Sequence, residues 1–318
     1  MTNSSTPVID LLTGNGDGTF QSAHSIVNAG PATSLSVGDF NNDGVPDLLA
    51  TFPRQIGLFL GNGDGTFKNP QYLRYRFVSQ HTTTGDFNGD GKLDFAASDA
   101  NYGNVYVFLG NGDGTFQAPV VYPFYVADFM VTGDFNGDGT LDIVGIASEG
   151  SAGILLGNGD GTFRPVNYLY GWGVRPGWMI AQDINEDGNL DVLISNLNSL
   201  YGQSSPGQIV MFPGNGDGTF GDAVLITTPS ISSIFAVLDG NGDGHLDLAF
   251  AEGASDDVAI LQGDGTGNFR LTGSFATGHE PIGIAAGDFN RDGKPDLAVA
   301  DVSSSRVGAV TILTNVTK

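Results

Sequence analysis

An all-β fold is predicted for this chain, a β-propeller of six blades with four antiparallel strands each, and three observations predict it. A nine-residue aspartate loop recurs six times, its first residues standing at 39, 86, 134, 183, 239 and 288. A glycine turn, Gly-Asn-Gly-Asp-Gly-Thr-Phe, keeps the same beat from 14, 61, 110, 157 and 214, and a variant, Gly263-Asp-Gly-Thr-Gly-Asn-Phe269, follows. No stretch of about 10–12 residues sustains a helical period without an interrupting Gly or Pro. The aspartate loops are 47, 48, 49, 56 and 49 residues apart, and repeats of about 40–50 residues mark propeller blades or another stacked array.

Each repeat reads as four short strands, A to D. In the first full one, Ser34–Phe40 leads into the aspartate loop and Pro46–Phe52 leaves it. Ile56–Leu60 then runs into the glycine turn, and Phe67–Phe77 carries the chain away. Strand A is rich in small or β-branched residues, as in His81-Thr-Thr-Thr84 and Ile282-Gly-Ile-Ala-Ala286, which suits a crowded strand near a propeller axis. Strand B is apolar, as in Phe95-Ala-Ala97 and Val192-Leu-Ile194, as expected for a sheet packed on both faces. The repeats divide the chain at about 8–33, 34–80, 81–128, 129–177, 178–233, 234–281 and 282–315. One propeller domain over 1–318 follows, since closed rings of repeats override the length prior for two domains.

The ends bear on closure. The last repeat stops after its C strand, Val307–Leu313, while the chain opens with a C-like strand, Val8–Leu12, a glycine turn and a D-like strand, Phe20–Val27. The expected closure places the N-terminal strand in the last blade. One C-type strand is then surplus, and seven blades are the alternative to six.

The aspartate loops carry the chemistry. Asp134-Phe-Asn136-Gly-Asp138-Gly139-Thr140-Leu-Asp142 puts side-chain oxygens at positions 1, 3, 5 and 9, with Gly at position 6 for the sharp turn. Alternate residues can then converge on a hard cation, joined by the backbone carbonyl of position 7. The other five loops are Asp39-Asn41-Asp43-Asp47, Asp86-Asn88-Asp90-Asp94, Asp183-Asn185-Asp187-Asp191, Asp239-Asn241-Asp243-Asp247 and Asp288-Asn290-Asp292-Asp296. An EF-hand is excluded, because position 12 is Ala50, Ala97, Gly145, Ile194, Phe250 or Val299 rather than Glu. The glycine turns read as tight hairpins using Gly and Asn for positive φ rather than as phosphate loops, since no helix follows them.

Composition agrees. The net charge is −23, and the six loops hold 19 of the 35 acids, three Asp each together with Glu186. Nucleic acid and membrane insertion are therefore excluded as partner classes, and no apolar run approaches the ~20 residues of a span. About six bound divalent cations would bring the charge to about −11 and relieve like-charge repulsion within each loop. There are no cysteines, so metal loops would replace disulfides as staples. No signal peptide is visible at Met1–Pro7.

The Asp-x-Asn-x-Asp-Gly-x-x-Asp loop between short strands resembles the FG-GAP/VCBS repeats of integrin α-chain propellers, over about residues 8–315. The literal Phe-Gly and Gly-Ala-Pro signatures are missing, so the VCBS-like branch fits better. The resemblance implies Ca²⁺ bound through positions 1, 3, 5 and 9 and the carbonyl of position 7, here Val45, Lys92, Thr140, Asn189, His245 and Lys294. It also implies an adhesion-type protein partner, and calcium supply implies an extracellular or cell-surface location.

Connectivity puts the aspartate loops and glycine turns on one face and the B–C and D–A connections on the other. On that variable face the repeats diverge. Candidate ligand residues there are Arg74, Tyr75, Arg76, Tyr125, Tyr170, Trp172, Arg175, Trp178 and Tyr201, an aromatic and basic set on an acidic chain. Rings stack on sugar faces and guanidinium groups hold hydroxyls or carboxylates. The expected function is a monomeric, non-enzymatic, lectin-like module binding a glycan, with a protein ligand second. A polysaccharide lyase or a purely structural or designed repeat are the further alternatives. No catalytic residue is assigned, since neither Gly-x-Ser-x-Gly nor His-Glu-x-x-His occurs.

Overall fold

Repeated apolar strands punctuated by Gly and Asp turns can bury their faces only by stacking small sheets against one another, and that is what the computed structural model contains. It describes residues 8–28, 32–52, 54–73, 81–99, 101–124, 128–169, 174–197, 207–230, 234–302 and 308–317. The fold is an all-β propeller of six blades, and the described residues include no helix. Two compact units are described in turn. The first takes in Met1–Leu11, His24–Gly173 and Gly214–Thr219, and the second Leu12–Ala23, Val174–Pro213 and Phe220–Lys318.

The first unit begins with β1 (Val8–Leu11) and β2 (His24–Asn28), an antiparallel pair. Blade 1 follows as β3 (Ser34–Gly38), β4 (Asp47–Phe52), β5 (Gln55–Phe59) and β6 (Gln71–Leu73). Blade 2 is β7 (Thr82–Gly85), β8 (Asp94–Asp99), β9 (Asn104–Phe108) and β10 (Val120–Pro123). Blade 3 is β11 (Phe129–Gly133), β12 (Asp142–Ile146), β13 (Ala152–Leu155) and β14 (Asn167–Leu169). Each blade is an antiparallel meander in sequence order. Its second strand is wholly buried, because neighbours hold both of its edges and sheets cover both of its faces.

Cores lie between adjacent sheets rather than within one. Phe87, Val105 and Val107 of blade 2 pack with Met130, Ile143 and Leu155 of blade 3. Phe95 stacks on Phe108 at 4.4 Å, and Phe116 meets Phe95 edge-on at 4.8 Å. Small hydroxyl residues on the first strands let those strands approach. Ser36 Oγ lies 3.1 Å from Thr82 Oγ1, and Thr83 Oγ1 lies 3.0 Å from Thr132 Oγ1. The fourth strand of blade 1 starts later than the sequence suggested, and residues 74–77 of its expected span lie outside the described residues. In blade 1, Phe67 makes only an isolated bridge to Gly61 before β6 begins.

The second unit holds blade 4, β15 (Pro176–Gln182), β16 (Asp191–Asn196), β17 (Gly207–Phe212) and β18 (Val224–Thr228). Blade 5 is β19 (Phe235–Leu238), β20 (Asp247–Glu252), β21 (Asp257–Gly263) and β22 (Phe269–Ala276). The last blade is β23 (Pro281–Gly287), β24 (Asp296–Asp301) and β25 (Ala309–Leu313).

The ends differ from expectation in one respect. An N-terminal strand was expected to complete the last blade, but that sheet has three strands among the described residues, and β1 pairs with β2 alone. Both C-type strands are therefore used, β25 in the last blade and β1 in the hairpin. Side-chain packing decides this: Ile9 is buried with Leu48, Ala50 and Phe52 of blade 1, which anchors the hairpin there.

Candidate functional site

The six aspartate loops share one hydrogen-bond scheme, set by short acceptor side chains that close turns on their own backbone. In the first loop, Asp39 Oδ1 accepts from Asp43 N at 3.1 Å and its Oδ2 accepts from Gly44 N at 2.8 Å. Asn41 Oδ1 also accepts from Asp43 N, and Asp43 Oδ1 accepts from Val45 N, both at 2.9 Å. The loops starting at Asp86, Asp134, Asp183 and Asp288 repeat these contacts. The loop at Asp239 departs once, with Gly242 N rather than Asp243 N on Asp239 Oδ1. The glycine at position 6 has φ between 78° and 92° in all six, a left-handed turn that a side chain would strain. Position 4 is left-handed as well, even where it is Asn42, Glu186 or Arg291.

Position 9 has a role that composition did not reveal. Asp47 is buried, and its two oxygens accept from Phe40 N at 2.9 Å and Gly61 N at 2.8 Å. It thereby ties the aspartate loop to the glycine turn of its own blade. Asp94, Asp142 and Asp247 make the same two bonds. Burial, only partly offset by the two amide donors, holds the carboxyls of Asp47, Asp94, Asp142 and Asp247 above the ordinary value. A second tie runs between blades, from Gly114 N to Phe40 O at 3.1 Å and from Gly161 N to Phe87 O at 3.0 Å. In the turns, Asp64, Asp113 and Asp160 accept from the hydroxyl and amide of the following Thr, and that hydroxyl lowers their carboxyls.

These loops offer the hard oxygen donors that a calcium-sized cation takes. Each ionised carboxylate has about four lone-pair sites, so one holding two amides retains acceptor capacity. The carboxylates nevertheless point at loop amides, and among the described residues no three His, Asp or Glu side chains close around one point. The donor set fits the cation; closure of that set is not part of this structure. Position 7 varies in its side-chain contacts. Lys92 pairs with Asp90 at 3.1 Å, Thr140 Oγ1 donates to Asp138, and His245 Nδ1 meets Glu186 of the preceding loop at 2.7 Å.

Of the candidate ligand residues, Arg74, Tyr75, Arg76, Tyr125, Tyr170, Trp172 and Tyr201 lie outside the described residues. Arg175 is exposed, its amide donating to Asn196 Oδ1 at 3.1 Å. Trp178 is a strand residue instead of a loop ring: it sits in β15, half-buried against the core of Ile184, Leu193 and Phe235. Sequence reasoning missed the acids that end some of the second strands. Asp99, Glu252 and Asp301 are all buried, five residues after the position-9 aspartates. Among the described residues Asp99 Oδ2 and Asp301 Oδ1 make no hydrogen bond, whereas Glu252 accepts from Ser230 Oγ at 2.9 Å. An acidic residue closing an otherwise apolar strand was the available signal.

The model of the FG-GAP-like repeat matches residues 2–50, 39–97, 86–145, 134–194 and 239–299. Comparison with curated protein sequences finds no significant match. Among solved structures, one of specific recognition of non-reducing terminal N-acetylglucosamine by an Agrocybe aegerita lectin is 19% identical, with a TM-score of 0.65. That alignment covers 99% of this chain and 94% of the lectin. BBS1N in a complex with ARL6DN is 10% identical with a TM-score of 0.62, covering 98% of this chain and 93% of that one. At such identities the likeness establishes the fold.

Proposed function

The chain belongs to the FG-GAP-like repeat family, and from that premise we propose that it is a calcium-stabilised, non-enzymatic recognition module that binds glycans on its variable face. One observation carries the reading. The aspartate loops keep one geometry at one end of their blades, the Asp239 loop departing by a single amide, while the connections at the other end differ from repeat to repeat. Uniformity suits a common structural ion, and divergence suits a ligand surface on a rigid scaffold.

In each loop the ion would be held by positions 1, 3, 5 and 9 and the carbonyl of position 7, as in Asp134, Asn136, Asp138, Asp142 and Thr140. Its two charges would offset like-charge repulsion among the aspartates. The chain's own contribution is the amide-braced loop, already curved around the donor positions. Calcium supply points to an extracellular or cell-surface setting, where the free ion is abundant enough to fill six such loops. The lectin neighbour supports a glycan as ligand. The BBS1N–ARL6DN complex supports a second reading, a protein ligand on the same kind of scaffold.

The test is a glycan and polysaccharide array probed with labelled protein in millimolar calcium and again with chelator, alongside thermal melts. A calcium-dependent hit, lost on substituting Arg74, Arg76 and Trp172 by Ala at unchanged melting temperature, is the expected result. Silence on the array from protein that remains folded would remove the glycan reading and favour the protein ligand.

A further inference from the structure

The glycine turns of blades 2 and 3 are each fastened to two aspartate loops, their own and that of the preceding blade. In blade 2 the turn runs from Gly110 to Phe116. Gly110 N donates to Asp94 Oδ1 at 2.7 Å, at position 9 of the blade's own loop. At the far side of the turn, Gly114 N donates to Phe40 O at 3.1 Å, and Phe40 N donates to Asp47 Oδ2 at 2.9 Å. Blade 3 repeats the path. Gly157 N meets Asp142 Oδ1 at 2.8 Å, Gly161 N meets Phe87 O at 3.0 Å, and Phe87 N meets Asp94 Oδ2 at 2.9 Å. The buried carboxylates Asp47, Asp94 and Asp142 are thus joined in line by backbone hydrogen bonds through two turns. In the second unit, Gly263 N on Asp247 Oδ1 and Gly18 N on Phe289 O show both kinds of fastening.

Between its two ends the turn is stiff. Asn111 N donates to Thr115 O and Asn111 Nδ2 to Thr115 Oγ1, both at 2.9 Å, while the amide and hydroxyl of Thr115 donate to Asp113 Oδ1. Neither end has room to give. A Cβ on Gly110 would lie 2.4 Å from Leu93 O, and Gly114 is held at a φ of 81°. Phe116, the last residue of the turn, meets Phe40 edge-on at 6.0 Å, as Phe163 meets Phe87 at 5.5 Å. A displacement of Asp94 therefore reaches Phe40, which stands between Asp39 and Asn41, the donors at positions 1 and 3 of the blade 1 loop.

We propose that the glycine turns couple cation loading of one aspartate loop to that of its neighbour, so that calcium binds cooperatively from blade to blade. The inference rests on the reading of these loops as calcium sites. Position 9 is at once a donor for the ion and the anchor of the turn, so fixing Asp94 fixes Gly110, Gly114 and the backbone of the blade 1 loop. That loop then has less freedom to lose when it is filled, and ordering already supplied appears as affinity. Coupling between sites typically changes affinity by about 5- to 150-fold. Charge acts the other way, since each filled loop attracts a second cation to its neighbour less strongly. That opposition is screened over about 8 Å at physiological salt and about 3 Å at 1 M, whereas a path of hydrogen bonds is not. Coupling through the turns should therefore persist or sharpen as salt is raised.

The test is a calcium titration of the chelator-stripped full chain, read with a calcium-selective electrode in about 0.15 M and about 1 M potassium chloride. Far-UV circular dichroism in chelator accompanies it. Expected is a sigmoidal plot of bound against free calcium at both salts, from a chain that keeps its β spectrum in chelator. The double variant Thr115→Val, Thr162→Val removes the hydroxyls that brace two turns; both residues are exposed and neither is a loop donor. It should bind the same number of ions along a flatter curve. Asp138→Ala should lose one ion and also weaken binding at the adjacent loop by about fivefold or more. No calcium bound at all would remove the calcium reading, and this inference with it. Calcium bound along a hyperbolic curve would spare that reading and overturn the coupling. So would a sigmoid that the two valines leave unchanged, one lost at the higher salt, or one accompanied by unfolding in chelator. An Asp138→Ala chain that loses one ion while the rest bind as in wild type would overturn it equally.

Discussion

Asp142 allows the structural and the metal-binding roles of the position-9 aspartates to be separated. Its side chain is fully buried, and it accepts from Phe135 N at 3.0 Å and from Gly157 N at 2.8 Å. Asp142→Ala leaves two buried amides unsatisfied, at about 1–3 kcal/mol each. Part of that loss is returned, because burial already disfavours the carboxylate. A net destabilisation of about 3 kcal/mol is expected, or about 6 °C at about 2 °C per kcal/mol for a domain of this size. Asp142→Asn keeps one acceptor oxygen and should lose about half as much. Asp138 in the same loop is partly exposed and accepts from Thr140 N at 3.0 Å, so Asp138→Ala should cost about 1 kcal/mol or less. Calorimetric melts in chelator isolate these structural terms, and melts in millimolar calcium add the loss of a proposed ligand to both variants. Asp142→Ala melting with wild type in chelator would refute the staple. Asp138→Ala responding to calcium as wild type does would refute the cation at that loop.

Three further expectations rest on single contacts. Phe95 is fully buried and stacks on Phe108; Phe95→Ala should cost about 3–5 kcal/mol, read as a lowered urea midpoint. Gly110→Ala would place a Cβ 2.4 Å from Leu93 O, whereas Gly44→Ala meets nothing within 4 Å and pays only for its φ of 80°. The first should therefore be far more damaging in chemical denaturation, and the second should cost about 1–2 kcal/mol. Burial lowers His81 to about 4. It stays neutral in the fold while the unfolded chain takes up a proton below about 6.5. The stability it contributes is present above 6.5 and is lost as pH falls toward 4, by up to about 3 kcal/mol. Melts of wild type against His81→Gln from pH 7 to 4 should diverge by that amount, and parallel curves would show that the ring is not held neutral.

The repeat period, strand identity and loop donors were legible in the chain, because each depends on local physics. Alternating Asp and Asn with a left-handed Gly makes the same turn wherever it occurs, and apolar strands of five or six residues between such turns admit only small stacked sheets. The central second strands, β4, β8 and β12, are accordingly buried as their composition demanded. Relations between distant residues were not legible. That Asp47 would bind Gly61, that Trp178 would face a core, and that Asp99 and Asp301 would be buried with an unbonded oxygen each depend on which sheet lies alongside. The N-terminal hairpin shows the same limit. Its C-like and D-like strands matched the last blade by pattern, yet Ile9 found its partners in blade 1. A period-two pattern says which face of a strand is apolar but not which of several similar apolar surfaces will cover it, and packing of side chains far apart in sequence makes that choice.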